Sequence, residues 1–161
     1  MKHRAYIALG SNLQDPRRQV LNALQELAEL PDTEVVARSS LYRTVPVGYD
    51  NQPDFINAAA ELHTALTPHE LLRQLLKLES THGRERPFPN APRVLDLDVL
   101  MVDDLQIQDS ELTLPHPRMH ERGFVLLPLA EIAPQLEIPG RGKVSELAQQ
   151  CLDQGVEKLA A

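Results

Sequence analysis

The stretch Ala91-Pro92-Arg93-Val94-Leu95-Asp96-Leu97-Asp98-Val99-Leu100 reads as a β-strand with two different faces. Alternate side chains of a strand share a face, so Asp96 and Asp98 point one way while Leu95, Leu97 and Val99 point the other. A rise of ~3.3 Å per residue sets the two aspartate Cα atoms about 6.6 Å apart, close enough for both carboxylates to hold one or two small cations. Without a cation the acids repel, and one tends to keep its proton. A strand whose outer face is simply solvated and acidic is the plainer alternative. Against it stand Arg93 beside the pair and Gly83-Arg84-Glu85-Arg86 just upstream, because metal and arginine together suit a polyphosphate.

Upstream of this strand the chain punctuates itself clearly. Residues 5 to 9 form a short apolar strand that turns at Gly10-Ser11-Asn12. Asp15 can cap the next helix, with Pro16 at its first position, and Val20, Leu21, Leu24, Leu27 and Ala28 share one face until Pro31-Asp32. Residues 34 to 43 read as a second strand and 55 to 64 as a third, separated by a loop from Thr44 through Pro46, Gly48 and Pro53. Thr67-Pro68-His69-Glu70 is a capping box opening a helix with Leu71, Leu72, Leu75 and Leu76 on one face. Glu79 continues that leucine stripe, so this acid points along the buried face or marks the fraying end of the helix. Gly83, Pro87, Pro89 and Pro92 stiffen residues 83 to 92, a candidate lid over a ligand site.

Downstream, 105–107 and 112–114 can make short extra pairings. Residues 118 to 131 read as partly helical, interrupted by Gly123 and Pro128, and 144 to 159 as a final amphipathic helix. Strand, helix, strand, strand, helix, strand is the split pattern of an α+β, ferredoxin-like βαββαβ core: an antiparallel sheet with helices packed on it, plus C-terminal additions. The aspartate strand, fourth in that order, is expected in the middle of the sheet.

A chain of 161 residues supports one core, so a single domain over 1–161 is expected. Its net charge of −7 excludes a general nucleic-acid binder, and any anionic ligand must meet a local basic patch. Arginine outnumbers lysine twelve to four, and Arg84, Arg86, Arg93, Arg118 and Arg122 all follow the second helix. The single cysteine, Cys151, allows no internal disulfide, and no apolar run reaches membrane-spanning length. A cytoplasmic monomer with no membrane or nucleic-acid partner is the expectation.

Neither a P-loop nor a dinucleotide-binding glycine fingerprint occurs, so phosphate recognition falls to side chains and metal. Asp96 and Asp98 are hard oxygen ligands that suit Mg²⁺. His116 and His120 have a spacing that binds zinc on a helix, but Pro117 stands between them, and zinc is the weaker reading. Phe55 and Phe124 could hold a flat ring near Asn57, which shares a strand face with Phe55 and can both donate and accept. These residues alone leave three possibilities open: a phosphoryl-transfer enzyme, a Mg-dependent phosphohydrolase and a non-catalytic effector-binding module.

Six segments in order carry a resemblance. They are Tyr6-Ile7-Ala8-Leu9-Gly10-Ser11-Asn12-Leu13, Ser40-Leu41-Tyr42-Arg43-Thr44, Gln52-Pro53-Asp54-Phe55-Ile56-Asn57, Gly83-Arg84-Glu85-Arg86, Pro92-Arg93-Val94-Leu95-Asp96-Leu97-Asp98, and the run from Pro115 to Phe124. With them the chain resembles the 6-hydroxymethyl-7,8-dihydropterin pyrophosphokinases of folate biosynthesis. The resemblance implies transfer of an intact diphosphate from ATP to the hydroxymethyl oxygen of the reduced pterin, releasing AMP. It further implies two Mg²⁺ ions on Asp96 and Asp98, and Arg84 and Arg93 steadying the transferring phosphates as catalytic residues. By the same resemblance Glu79, Arg86, Val99, Thr113, His116 and Arg122 surround the nucleotide, while Thr44, Val47, Phe55, Asn57 and Phe124 form the pterin pocket. Val45, Asn90 and Glu111 depart from residues common at these positions in relatives.

Overall fold

The structure is a computed structural model that describes residues 2–45, 52–83 and 94–159. In chain order its elements are β1 (His3–Ser11), α1 (Pro16–Leu27), β2 (Thr33–Arg38), β3 (Tyr42–Thr44), β4 (Phe55–Thr64), α2 (Pro68–Thr81), β5 (Asp96–Val102), β6 (Ile107–Gln108) and β7 (Thr113–Leu114). A 3₁₀ turn at Met119–Glu121, α3 (Gly123–Ile132), β8 (Glu137–Ile138), β9 (Gly142–Lys143), α4 (Val144–Gln149) and β10 (Val156–Lys158) follow.

The main sheet runs β10-β3-β4-β1-β5, and β2 pairs with the far half of β4; every pairing is antiparallel. The ferredoxin-like core is therefore present. The aspartate strand is not in the middle as expected, because it ends the row and, among the described residues, pairs within this sheet with β1 alone. Each helical crossover skips one strand position: α1 carries the chain from β1 past β4, and α2 carries it from β4 past β1. Adjacent placement of β4 and β1 thus forces β5 to the outside. That edge is partly covered, since the His116 N–H donates to the Leu100 carbonyl at 2.8 Å.

The expected strand over 34–43 is split in two at Ser39. The Ser39 N–H donates to the Ala59 carbonyl at 2.9 Å, while its Oγ accepts the Ala59 N–H at 2.9 Å. One hydroxyl thus replaces a backbone acceptor at the break. The expected long helix over 144–159 is also shorter: α4 ends at Gln149, Gly155 turns the chain at φ 73°, and β10 joins β3. Pro128 sits inside α3 without ending it, and Asp15 occupies the N-cap of α1 without a side-chain capping bond.

Both faces of the sheet are covered. Ile7, Leu9, Leu62, Leu97 and Val99 pack against Leu24 and Leu27 of α1 and Leu71 and Leu75 of α2, all buried. On the other face Tyr6, Leu100 and Met101 meet Met119, Leu126 and Leu129, with Val144 and Ala148 of α4 behind them. A bulge where β5 pairs Tyr6 and Ile7 of β1 turns both Leu100 and Met101 toward this second layer. Helix α3 covers only part of the second face. The remainder, at the end where β1 finishes and β5 begins, is open.

The capping box at α2 is complete: the Glu70 N–H donates to Thr67 Oγ1, and the Thr67 N–H donates to Glu70 Oε1. Thr67→Ala removes the first of these bonds and is expected to lower unfolding stability by about 1 kcal/mol, read from the shift of the urea midpoint.

Candidate active site

Four strands contribute to one exposed patch of sheet. Gly10 of β1 pairs with Asn57 of β4 on one side and with Asp96 of β5 on the other, and Ala8 pairs with Asp98. Thr44 of β3 pairs with Phe55 of β4. Because partners across a rung share a face, these side chains all turn to the side that α3 leaves open. They line a cleft of about 350 Å³, with Arg118, Arg122 and Phe124 closing its other wall. That volume falls in the range of small-molecule sites.

The pieces are held by short polar contacts. Thr44 Oγ1 donates to Asn57 Oδ1 at 2.7 Å, and both residues are buried, so the carboxamide of Asn57 is set in one orientation. Gly10 is required beside it, since a Cβ there would lie 2.9 Å from Asn57 Nδ2. Asn12, 1 % exposed, donates to Gln52 Oε1 at 2.7 Å and the Pro53 carbonyl at 3.1 Å, tying the end of β1 to the start of β4. Arg122 lies over Phe124 with its Cζ 5.5 Å from the ring centroid.

On β5 the two carboxylates emerge half-buried, and between them the Leu97 N–H donates to Glu79 Oε2 at 2.7 Å. The last turns of α2 thus hold the backbone between Asp96 and Asp98. Glu79 is 2 % exposed, which decides between the two readings of its place on the leucine stripe in favour of the buried face.

His116 follows a cis Leu114–Pro115 peptide and receives the Arg118 N–H on Nδ1 at 3.2 Å. That acceptor role leaves the proton of the neutral ring on Nε2. Burial pushes its pKa down to about 4, and the Arg122 and Arg118 guanidinium charges push the same way against the pull of Asp96. His116 is therefore an uncharged donor at neutral pH. His120 instead lies near Glu121 at 3.4 Å, and no group of three His, Cys, Asp or Glu side chains suited to a metal occurs among the described residues.

Of the residues expected from sequence, Thr44, Phe55, Asn57, Asp96, Asp98, Arg122 and Phe124 meet in the cleft. His116 is half-buried beside them and Thr113 half-buried on β7. Glu79 and Val99 have their side chains in the interior, Val99 within the core under α1 and α2. Val47, Arg84, Arg86 and Arg93, together with most of the expected lid, lie outside the described residues. The cleft also includes Val45, Glu121 and Gln154, which carried no expectation. Arg118 was legible only as one of five clustered arginines. Gln154 had no signal at all, because nothing local ties it to a site whose other lining residues all lie at least 30 residues earlier in the chain.

Comparison with known proteins shows the family of the chain. A family model described as 7,8-dihydro-6-hydroxymethylpterin-pyrophosphokinase matches residues 6–134. The 2-amino-4-hydroxy-6-hydroxymethyldihydropteridine pyrophosphokinase of Haemophilus influenzae is 43% identical over 155 residues, covering 96% of this chain and 97% of that protein. The protein of the same name from Methylorubrum extorquens is 46% identical over 156 residues, covering 97% of this chain and 98% of its own length. Among solved structures, a Plasmodium falciparum HPPK-DHPS chain with pterin and p-hydroxybenzoate superposes with a TM-score of 0.78 at 13% identity, covering 100% of this chain. This chain spans 47% of that longer one, and at such identity the likeness speaks for the fold.

The lowered pKa of His116 makes stability depend on pH. The unfolded chain protonates this ring near 6.5 and the folded one near 4, so between those values the unfolded state binds more protons. Stability of the metal-free protein is expected to fall as pH drops through that window, and His116→Asn should flatten the slope. Urea midpoints at several pH values for both proteins check this; identical slopes contradict it.

Proposed function

The chain belongs to the 7,8-dihydro-6-hydroxymethylpterin-pyrophosphokinase family, and from that premise we propose how its residues carry the reaction. It is an ATP-dependent diphosphotransferase of folate biosynthesis acting on the hydroxymethyl group of 6-hydroxymethyl-7,8-dihydropterin. The hydroxymethyl oxygen attacks the β-phosphorus of ATP, the bond from that phosphorus to the α–β bridging oxygen breaks, AMP leaves and the hydroxyl proton is released.

The observation carrying the residue assignment is the shared rung of Asn57, Gly10 and Asp96, in which β4 and β5 flank β1 and present Asn57 and Asp96 to one cleft. Phe55 and Phe124 would sandwich the pterin, with Asn57 and Thr44 reading its polar edge and Val47 completing the pocket. Asp96 and Asp98 would hold two Mg²⁺ ions: two carboxylates on one face suit a hard cation that fills its remaining shell with water and phosphate oxygens. Bound magnesium would neutralise phosphate charge and align the in-line displacement. Arg84 and Arg93 would steady the transferring phosphates. Glu79, Arg86, Val99, Thr113, His116 and Arg122 would surround the nucleotide, with His116 donating from Nε2 without adding charge. Single-chain operation in the cytoplasm belongs to the same proposal; among the described residues no helix is long and apolar enough to cross a membrane.

The assay is AMP formation from MgATP with and without the reduced pterin alcohol. AMP is expected only with the pterin present; steady hydrolysis without it would instead favour a phosphohydrolase. Asp96→Ala and Asp98→Ala should each lower kcat on the order of 10²- to 10³-fold while circular dichroism stays native, because each removes charge stabilisation from the transition state. Near-normal turnover in either variant refutes its role. Phe124→Ala should raise KM for the pterin well above its effect on KM for ATP, and equal changes would make this ring merely structural.

A further inference from the structure

We propose that Gln154 is a positioning residue for the pterin side of the cleft, acting through the first turn of α3 and the strand end at Thr44. The inference rests on the assignment of Phe124 and Thr44 to the pterin pocket. It concerns a segment beyond the family match, which ends at residue 134.

Helix α3 starts at Gly123 with Arg122 as its N-cap, and no side chain of that turn caps it. Helix starts leave backbone N–H groups without partners inside the helix, and a distant side chain supplies one here. Gln154 Oε1 accepts the Gly123 N–H at 2.8 Å, and Gln154 Nε2 donates to the Glu121 carbonyl at 3.0 Å. A backbone donor and a backbone acceptor on either side of Arg122 fix which end of the carboxamide is which. One planar group therefore grips the residues that flank Arg122 and immediately precede Phe124. Gly123 itself allows the approach, since a Cβ there would come within 3.1 Å of Gln154 Oε1 and of Cys151 Cβ.

The same segment also holds the opposite wall. Gly155, next to Gln154, accepts the Val45 N–H on its carbonyl at 3.3 Å, and Val156 pairs with Thr44 as β10 joins β3. At its far end α3 is anchored to β3 separately, where Tyr42 donates to Glu131 Oε1 at 2.7 Å and Ser40 donates to the same carboxylate from its N–H and Oγ. With that end pinned, the placement of Phe124 is set at the first turn of α3. There Phe124 faces the cleft, and the Gln154 carboxamide bridges to the turn with two hydrogen bonds, beside a longer contact from Cys151 Sγ to the Glu121 carbonyl at 4.0 Å. A small shift of the turn moves Phe124 and Arg122 relative to Phe55 and Asn57, so the distance between the two pterin walls depends on a residue that need not touch the substrate.

Gln154→Met keeps the length of the side chain and removes both hydrogen bonds. Steady-state kinetics are expected to show KM for 6-hydroxymethyl-7,8-dihydropterin raised roughly five- to tenfold, as for the loss of about one to two hydrogen bonds, with KM for MgATP rising by a clearly smaller factor through the shift of Arg122. An unchanged pterin KM, or equal rises in both KM values, overturns the proposal. Phe124→Ala measured alongside separates the two levels: if it leaves pterin KM unchanged, the placement of the pterin fails and this inference with it. A crystal structure of the wild-type enzyme with the pterin bound gives a second test independent of how the variant folds. The Gln154 carboxamide is expected to bridge Glu121 and Gly123 there, and a carboxamide turned away from them contradicts the positioning role.

Discussion

Gly10 shares a rung of the sheet with Asn57 on one side and Asp96 on the other, and nearly every feature of the cleft depends on that register. Side chains alternate along a strand with a period of two, so a slip of one residue in either pairing would bury the aspartates under α2 or turn Asn57 into the core. The apolar residues between them enforce the register: Leu9, Leu97 and Ala58 meet on the opposite face and are 1 %, 4 % and 1 % exposed. Hydrophobic burial on one face thus determines the polar chemistry on the other. The absence of a side chain at Gly10 is part of the same constraint, because it leaves room for the carboxamide of Asn57.

Placement of the acids on an outer strand changes how they are supported. A central strand is held by ladders on both sides, whereas β5, among the described residues, pairs within this sheet with β1 alone. Its first residues are held instead by the α2 carboxylate of Glu79 on the Leu97 N–H, and further along by the His116 N–H on the Leu100 carbonyl. A buried carboxyl oxygen accepting a backbone N–H satisfies that donor and fixes the strand at this point. The edge also leaves the acids next to the chain that carries Thr113, His116 and Arg122.

The described lining of the cleft mixes both signs, with Asp96, Asp98 and Glu121 beside Arg118 and Arg122, in a chain that carries −7 overall. The same guanidinium charges, added to burial, keep His116 neutral. Elsewhere the acids are committed to structure. Burial works against the charge of Glu131, but hydrogen bonds from Tyr42 and Ser40 hold its carboxyl below the ordinary range, and burial with that carboxylate nearby pushes the Tyr42 hydroxyl up.

Local signals were enough to read most elements of the core, the capping box at Thr67 and the common face of Asp96 and Asp98, because periodicity and capping act within a few residues, while Glu79 stayed open between a buried face and a fraying helix end. The family and its reaction were legible in six ordered segments for the same reason: each motif is contiguous. Strand order, the break at Ser39, the short α4 and the return of the chain as β10 were decided only by packing. Whether residues 150–158 prolong a helix or pair with Tyr42 and Thr44 depends on an open sheet edge contributed by distant sequence. The same holds for Gln154, whose partners at Glu121 and Gly123 are brought to it by the fold. Sequence by itself determined which residues are chemically able to act; tertiary structure decided which of them meet, since contacts between remote segments are selected by the burial of both sheet faces at once and leave no local pattern.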